Sequence, residues 1–254
     1  MSSTEEARTG PLRVWLEPGY DHGRFGAWML DWPGAFAWRD ARDAALAAAP
    51  EAVRGFVAWL ARHGEEMPRP GEGVTVVEEV PARWLEDGYE INATFAADHR
   101  AVTAEELAAT IRRLDFARDD LLEILGRLRQ AEAAHGRLGS APDGDRRSRS
   151  ARGVLRHLGG AEIWLAGRLD RTLRYEGPDF DAGEEAYLAA THAWALDTLR
   201  AHFDRDPALE GSDGKGETWS LAKTCRRMVY HALDHLAELE RRVQAAESAG
   251  SAQE

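Results

Sequence analysis

The chain is poor in cysteine, in lysine and in positive charge, and each shortage narrows what it can be. A single cysteine, Cys225, cannot close an internal disulfide and excludes any zinc module built from several thiolates. That agrees with a reducing compartment. No uninterrupted apolar run approaches the roughly 20 residues that a bilayer-crossing helix needs, so no membrane partner is expected. The opening MSSTEEARTG is polar and acidic where a secretory leader needs a basic start and an apolar stretch. The expected location is cytoplasmic.

Acids outnumber bases by 44 to 32, and the excess is shared, with 17 against 10 through residue 100 and 27 against 22 beyond it. Nucleic acid is therefore not an expected partner. The one basic cluster, Arg146, Arg147, Arg149 and Arg152, lies in a Gly/Ser/Asp-rich stretch and reads as a solvated loop leading into a helix. Only Lys215 and Lys223 are lysines, which with the many alanines points to a GC-rich genome and says nothing of the fold.

What is present is the balance of a folded protein, 44% apolar and 30% charged, in a length that suits two ordinary domains. After a polar tail of residues 1 to 10, residues 12 to 17 alternate, with Leu12, Val14 and Leu16 opposite Arg13, Trp15 and Glu17, as in a half-buried strand. A turn at GYDHG leads to a second strand through Phe25, Ala27 and Met29. Pro33 and Gly34 break it, and a third strand follows through Phe36 and Trp38. From Asp40 to Gly64 the period is helical, and 74 to 80 and 89 to 96 are further short strand candidates. Residues 11 to 100 thus read as an α+β domain, a small antiparallel sheet with a helix.

Beyond Arg100 the strand pattern stops. Thr103 and Glu106 form a capping box, and Leu107, Ile111, Leu114, Leu121, Leu125 and Leu128 mark the stripe of a long helix. Three more helices are expected near 150 to 175, 182 to 202 and 220 to 244, with loops at 136 to 149 and 206 to 217 and a tail at 247 to 254. Four amphipathic helices bury their stripes against one another, so 101 to 246 reads as an all-α four-helix bundle.

Nine histidines are present, and three of them share inward faces. His231 and His235 stand four residues apart on the last helix, which stacks their rings one turn apart within reach of one ion. His157 shares a face with Val154, Ala161, Trp164 and Leu165 on the second helix. The residue pattern alone fits either a metal site or three separately satisfied core histidines. His22, His63, His99, His135, His192 and His202 show no such convergence, and Cys225 lies too far from His235 to join it. Glu162 reads either as a supporting group for a ligand or as a surface carboxylate, and Asp234 as a solvated acid or an arginine's partner. Gly159 and Gly160 inside a helix point either to a close neighbour or to a local weakness.

RSARGVLRHLGGAEIWLAGRL, 149 to 169, and WSLAKTCRRMVYHALDHLAEL, 219 to 239, resemble the second and last helices of the DinB-like superfamily, over a match spanning about 103 to 245. The resemblance implies that His157, His231 and His235 bind a divalent metal, zinc or nickel, on a bundle that forms a homodimer. LRVWLEPGYDHGRFGAWMLDWPGAFAWRDARDAALAAAPEAVRGFVAWL, 12 to 60, resembles the HicB-like antitoxin domain. No helix-turn-helix or basic arm follows it, so only the fold is carried over.

The DinB-like resemblance implies a metal-dependent thiol S-transferase, with a low-molecular-weight thiol as co-substrate and a small molecule as electrophile. Three histidines leave a coordination position for that thiol, or for the water of a hydrolase. The competing reading is a non-catalytic interaction protein, in which the HicB-like module recognises a partner and the metal is structural or vestigial. No general base or other catalytic group is assigned from the sequence.

Overall fold

The computed structural model describes residues 10 to 135 and 150 to 251; the expected N-terminal tail and the loop from 136 to 149 fall almost wholly outside them. Strand β1 (Pro11–Gly19) pairs antiparallel with β2 (Arg24–Trp28), and β2 with β3 (Phe36–Arg39). The chain then returns through α1 (Arg42–Arg62) to β4 (Gly71–Glu79), giving the order β3-β2-β1-β4. The first three strands are antiparallel as expected, but β4 runs parallel to β1. A parallel neighbour needs a crossover, and α1 supplies it.

Leu12, Val14, Leu16 and Ala27 face α1, which covers them with Ala45, Ala49, Val53, Phe56 and Leu60. By length and mean hydropathy α1 could cross a membrane, yet this stripe is packed on the sheet. The opposite face of β1 is buried too, contrary to the half-exposed strand read from the alternation. Glu17 is fully enclosed, accepting from the Trp28 indole at 2.7 Å and the Ala93 amide at 2.6 Å. Pro33 and Gly34 turn the chain where a side chain would not fit. At φ +119 a Cβ on Gly34 would stand 2.6 Å from Phe56 and 2.8 Å from Val229.

Of the stretch expected as a strand at 89 to 96, only β6 (Glu90–Ile91) pairs, with β5 (Arg83–Trp84). The rest divides its polar groups between the sheet layer, through Glu17 and Glu78, and the bundle. The Asn92 carbonyl accepts from Lys223 Nζ, and Arg226 holds Asp98 in two hydrogen bonds of 2.8 Å.

The bundle consists of α2 (Ala104–His135), α3 (Ala151–Ala166), α4 (Glu184–Arg205) and α5 (Leu221–Ser251). The Thr103/Glu106 capping box forms, at 2.9 and 3.1 Å. Helix α3 ends nine residues before the expected point, passing at Gly167–Leu169 into a 3-10 turn. Helix α5 runs on through the expected tail to Ser251, and the expected loop at 206 to 217 contains the first strand of a hairpin, β7 (Glu210–Ser212) with β8 (Thr218–Ser220).

Side-chain pairs fix the helix directions. Arg152–Glu184, Glu162–His192 and the Ala166 carbonyl with His202 make α3 and α4 parallel. Arg129–Glu185 and Asp115–His192 set α4 antiparallel to α2. His157 against His231 and Trp164 against Trp219 set α5 antiparallel to α3. Gly159 lets α4 approach, since a Cβ there would collide with the Tyr187 ring. One apolar cluster includes Val14, Phe56 and Leu60 together with Leu121, Leu125, Val154 and Leu239, so sheet layer and bundle share a core.

Candidate metal centre

Helices α3 and α5 lie side by side, and the stripe on α5 that faces α3 repeats every four residues as Arg227, His231 and His235. His157, in the second turn of α3, meets the last two. Its Nε2 is 3.1 Å from His231 Nε2, and ring centres are separated by 4.9 Å (157 to 231), 4.9 Å (157 to 235) and 4.5 Å (231 to 235). One ring nitrogen from each histidine lies within 4.8 Å of the other two. In a tetrahedral set bonded at about 2.05 Å, ligand nitrogens are about 3.3 Å apart. The structure therefore brings together all three residues singled out in the sequence.

The donor chemistry fits a divalent ion. Two imidazole nitrogens facing each other at 3.1 Å need a proton or a cation between them. His235 is only 2% exposed, and its Nδ1 is 2.9 Å from Glu238 Oε2, so Nδ1–H donates to the carboxylate and the Nε2 lone pair is left toward the other rings. Arg242 donates to the second oxygen of Glu238. Burial raises the Glu238 pKa, but the hydrogen bond and charge from His235, with Arg242, outweigh it and bring the group down to about 2. Glu238 is thus an anion that orients one ligand. It was missed in the sequence, where its only signal is the i, i+3 spacing from His235.

The other candidates lie elsewhere. Glu162 does not support a ligand; it binds Arg118, Thr191 and His192 on the α2 and α4 side of α3. Cys225 is buried, and burial pushes its thiol up to about 12, so it is packing. His22 stacks on Trp84, His63 on Phe116, His99 pairs with Glu210, and His202 with the Ala166 carbonyl. The side chain of His135 lies outside the described residues.

The sheet layer packs against α5 through Tyr230. Tyr20 and Tyr230 meet through their hydroxyls at 2.8 Å, and burial raises both pKa values, with Arg227 opposing the rise and Asp234 reinforcing it. After Tyr20 the chain reverses through Asp21 (φ 41) and His22 (φ 70), a left-handed conformation that these residue types tolerate better than most. A groove of about 940 Å³ between β3, α1, α2 and α5 is lined from α5 by residues that include Tyr230, Leu233, Asp234, Leu236, Ala237 and Glu240. None of the three histidines lines it, so that groove is not their approach.

The chain matches no family model, no curated protein and no solved structure. What its structure establishes is an α+β layer followed by a helical region that carries a three-histidine group suited to a metal ion.

Proposed function

We propose that the chain binds one divalent ion, zinc or nickel, through His157, His231 and His235, and acts as a thiol S-transferase of the DinB-like kind. In that role it joins a low-molecular-weight thiol to a small electrophile. The observation that carries this reading is the meeting of three ring nitrogens from two helices, with His235 held in one orientation by Glu238 and Arg242.

An ion held by three neutral imidazoles supplies a further coordination position and acidifies a thiol bound there. The chain's own contribution is orientation. The Nδ1–H of His235 donates to Glu238, which keeps that proton on the ring and leaves the Nε2 lone pair free to bind the ion. His157 and His231 remain partly accessible, which supports a centre open to a small molecule over a closed structural one. The HicB-like resemblance of 12 to 60 supplies only a fold, and a cytoplasmic homodimer completes the proposal.

The test is conjugation of a simple thiol to chlorodinitrobenzene by zinc-loaded, nickel-loaded and chelated protein. The proposal requires turnover that depends on metal and disappears in His235→Ala. Equal rates in all samples would refute the transferase reading while leaving metal binding to be measured directly.

A further inference from the structure

Trp219 is fully buried just before α5, and three N–H groups about it lack an acceptor among the described residues: its own Nε1, Arg168 Nε and Arg227 Nη1. The Cζ atoms of Arg168 and Arg227 each lie 6.0 Å from the centre of the Trp219 ring. A buried donor left unpaired costs about 1–3 kcal/mol. Three that share one neighbour mark a place suited to an acceptor-rich group.

Most of the carboxylates around Arg168 and Arg227 are committed elsewhere, and Glu90, which also acts on Arg227, turns one oxygen to the Asp21 amide. Glu217 accepts from Tyr89, the Asn92 amide and Lys223, and Glu17 from Trp28 and the Ala93 amide. Asp213 accepts from Tyr89 at 2.7 Å and reaches Arg168 only at 3.5 Å, through Nη1. Arg227 makes no hydrogen bond or ion pair with any described residue, whereas its neighbour Arg226 grips Asp98 with both arms.

This place lies along the α3–α5 contact that holds the histidines. His157, Trp164 and Arg168 follow one another on a single face of α3 and its 3-10 extension. Arg227 precedes His231 by one turn, about 6 Å along the axis. Trp164 is 40% exposed, with the Arg168 guanidinium 3.6 Å above its ring, and it touches Trp219 edge to face at 5.3 Å. Solvent thus meets the edge of the α3–α5 contact at an aromatic surface next to an arginine.

We propose that Arg168, Trp219 and Arg227 form an oxyanion subsite that holds the carboxylate of a small ligand whose other end reaches the histidines. Only that reach rests on the metal reading, because the subsite itself uses none of the three histidines. A guanidinium fork suits a carboxylate, and the Trp164 face suits a flat apolar body.

The experiment is calorimetric titration of the full chain, zinc-loaded and chelated, with benzoate and with its neutral analogue benzamide. Benzoate binds at least tenfold more tightly than benzamide in both metal states. Arg168→Gln and Arg227→Gln each remove that preference, and Arg54→Gln, on the exposed face of α1, keeps it. Equal binding of the two probes, or a preference that survives both substitutions, overturns the proposal. Circular dichroism checks folding, and if Arg227→Gln is unfolded then Arg168→Gln, nearer the surface, decides. Zinc content is measured on the same samples. A benzoate preference in a chain that takes up no zinc on loading supports the subsite and refutes the metal reading, and zinc uptake without the preference does the reverse.

Discussion

At the scale of single residues, the carboxylate behind His235 and the glycines of α3 give the sharpest expectations. Glu238→Gln keeps the shape but loses the charge that fixes the Nδ1 proton, and metal affinity should fall by about 10- to 100-fold with the fold intact. Competition with a chromophoric chelator measures this; unchanged affinity would show that Glu238 is a bystander. Acid should act in two stages. Protons compete for the imidazoles below about pH 6.5, so metal leaves first. Glu238, whose folded pKa is depressed to about 2, contributes stability that is full above its ordinary value near 4.5 and fades only as pH falls toward 2. Metal retained down to pH 4 would contradict histidine ligation. The adjacent glycines separate packing from propensity. Gly159→Ala drives a methyl into Tyr187 and should cost about 1–3 kcal/mol, while Gly160→Ala meets only the Tyr187 hydroxyl at 3.7 Å and should gain up to about 1 kcal/mol from helix propensity. Urea unfolding of both variants reads the contrast, and equal effects would refute it.

At the scale of elements, the reversal between β1 and β2 leans on β6. Glu90 accepts from the Asp21 amide at 2.7 Å, and burial, reinforced by Glu17, raises its pKa to about 7 against the opposing pull of that hydrogen bond. A carboxyl whose folded pKa is raised favours the folded state below its unfolded value near 4.5, and that advantage is lost as pH rises through 7. Glu90→Gln should therefore stabilise at pH 8 by about 1–2 kcal/mol, less than full linkage because the group is partly solvated, and do little at pH 4.5. Thermal melts at the two pH values check this, and a gain of the same size at both would contradict it. Elements with long periodic stripes, α1, α2 and α5, were legible in the sequence, as were the alternating strands β1 to β3. The parallel placement of β4 was not, because alternation fixes which way side chains point and leaves the pairing partner open. Nor was the burial of Trp15 and Glu17, since the cover comes from residues 92 to 95, far along the chain. Helix α3 was read too long because the apolar pattern outlasts the break at Gly167.

At the scale of the whole molecule, the change of pattern near residue 100 marks a change of element type, while the apolar cluster runs across it from Val14 and Phe56 to Leu121 and Leu239. Polar clasps cross as well, with Trp59 Nε1 donating to Asp120 at 2.7 Å and Lys223 reaching the Asn92 carbonyl at 3.0 Å. The three histidines were legible as residues because helical spacing alone puts them on inward faces. Their convergence was not, since it depends on α3 and α5 packing side by side, which spacing cannot state. The central claim is that this packing makes one metal site. Cobalt(II) titration of the metal-free full chain, followed by visible absorption and compared with His157→Ala, His235→Ala and the triple alanine variant, tests it most directly. The account predicts an intense tetrahedral spectrum that saturates at one ion per chain, weakens in the single variants and is absent from the triple variant. An absent spectrum in the unaltered protein, or the same spectrum and stoichiometry after all three histidines are removed, would contradict it.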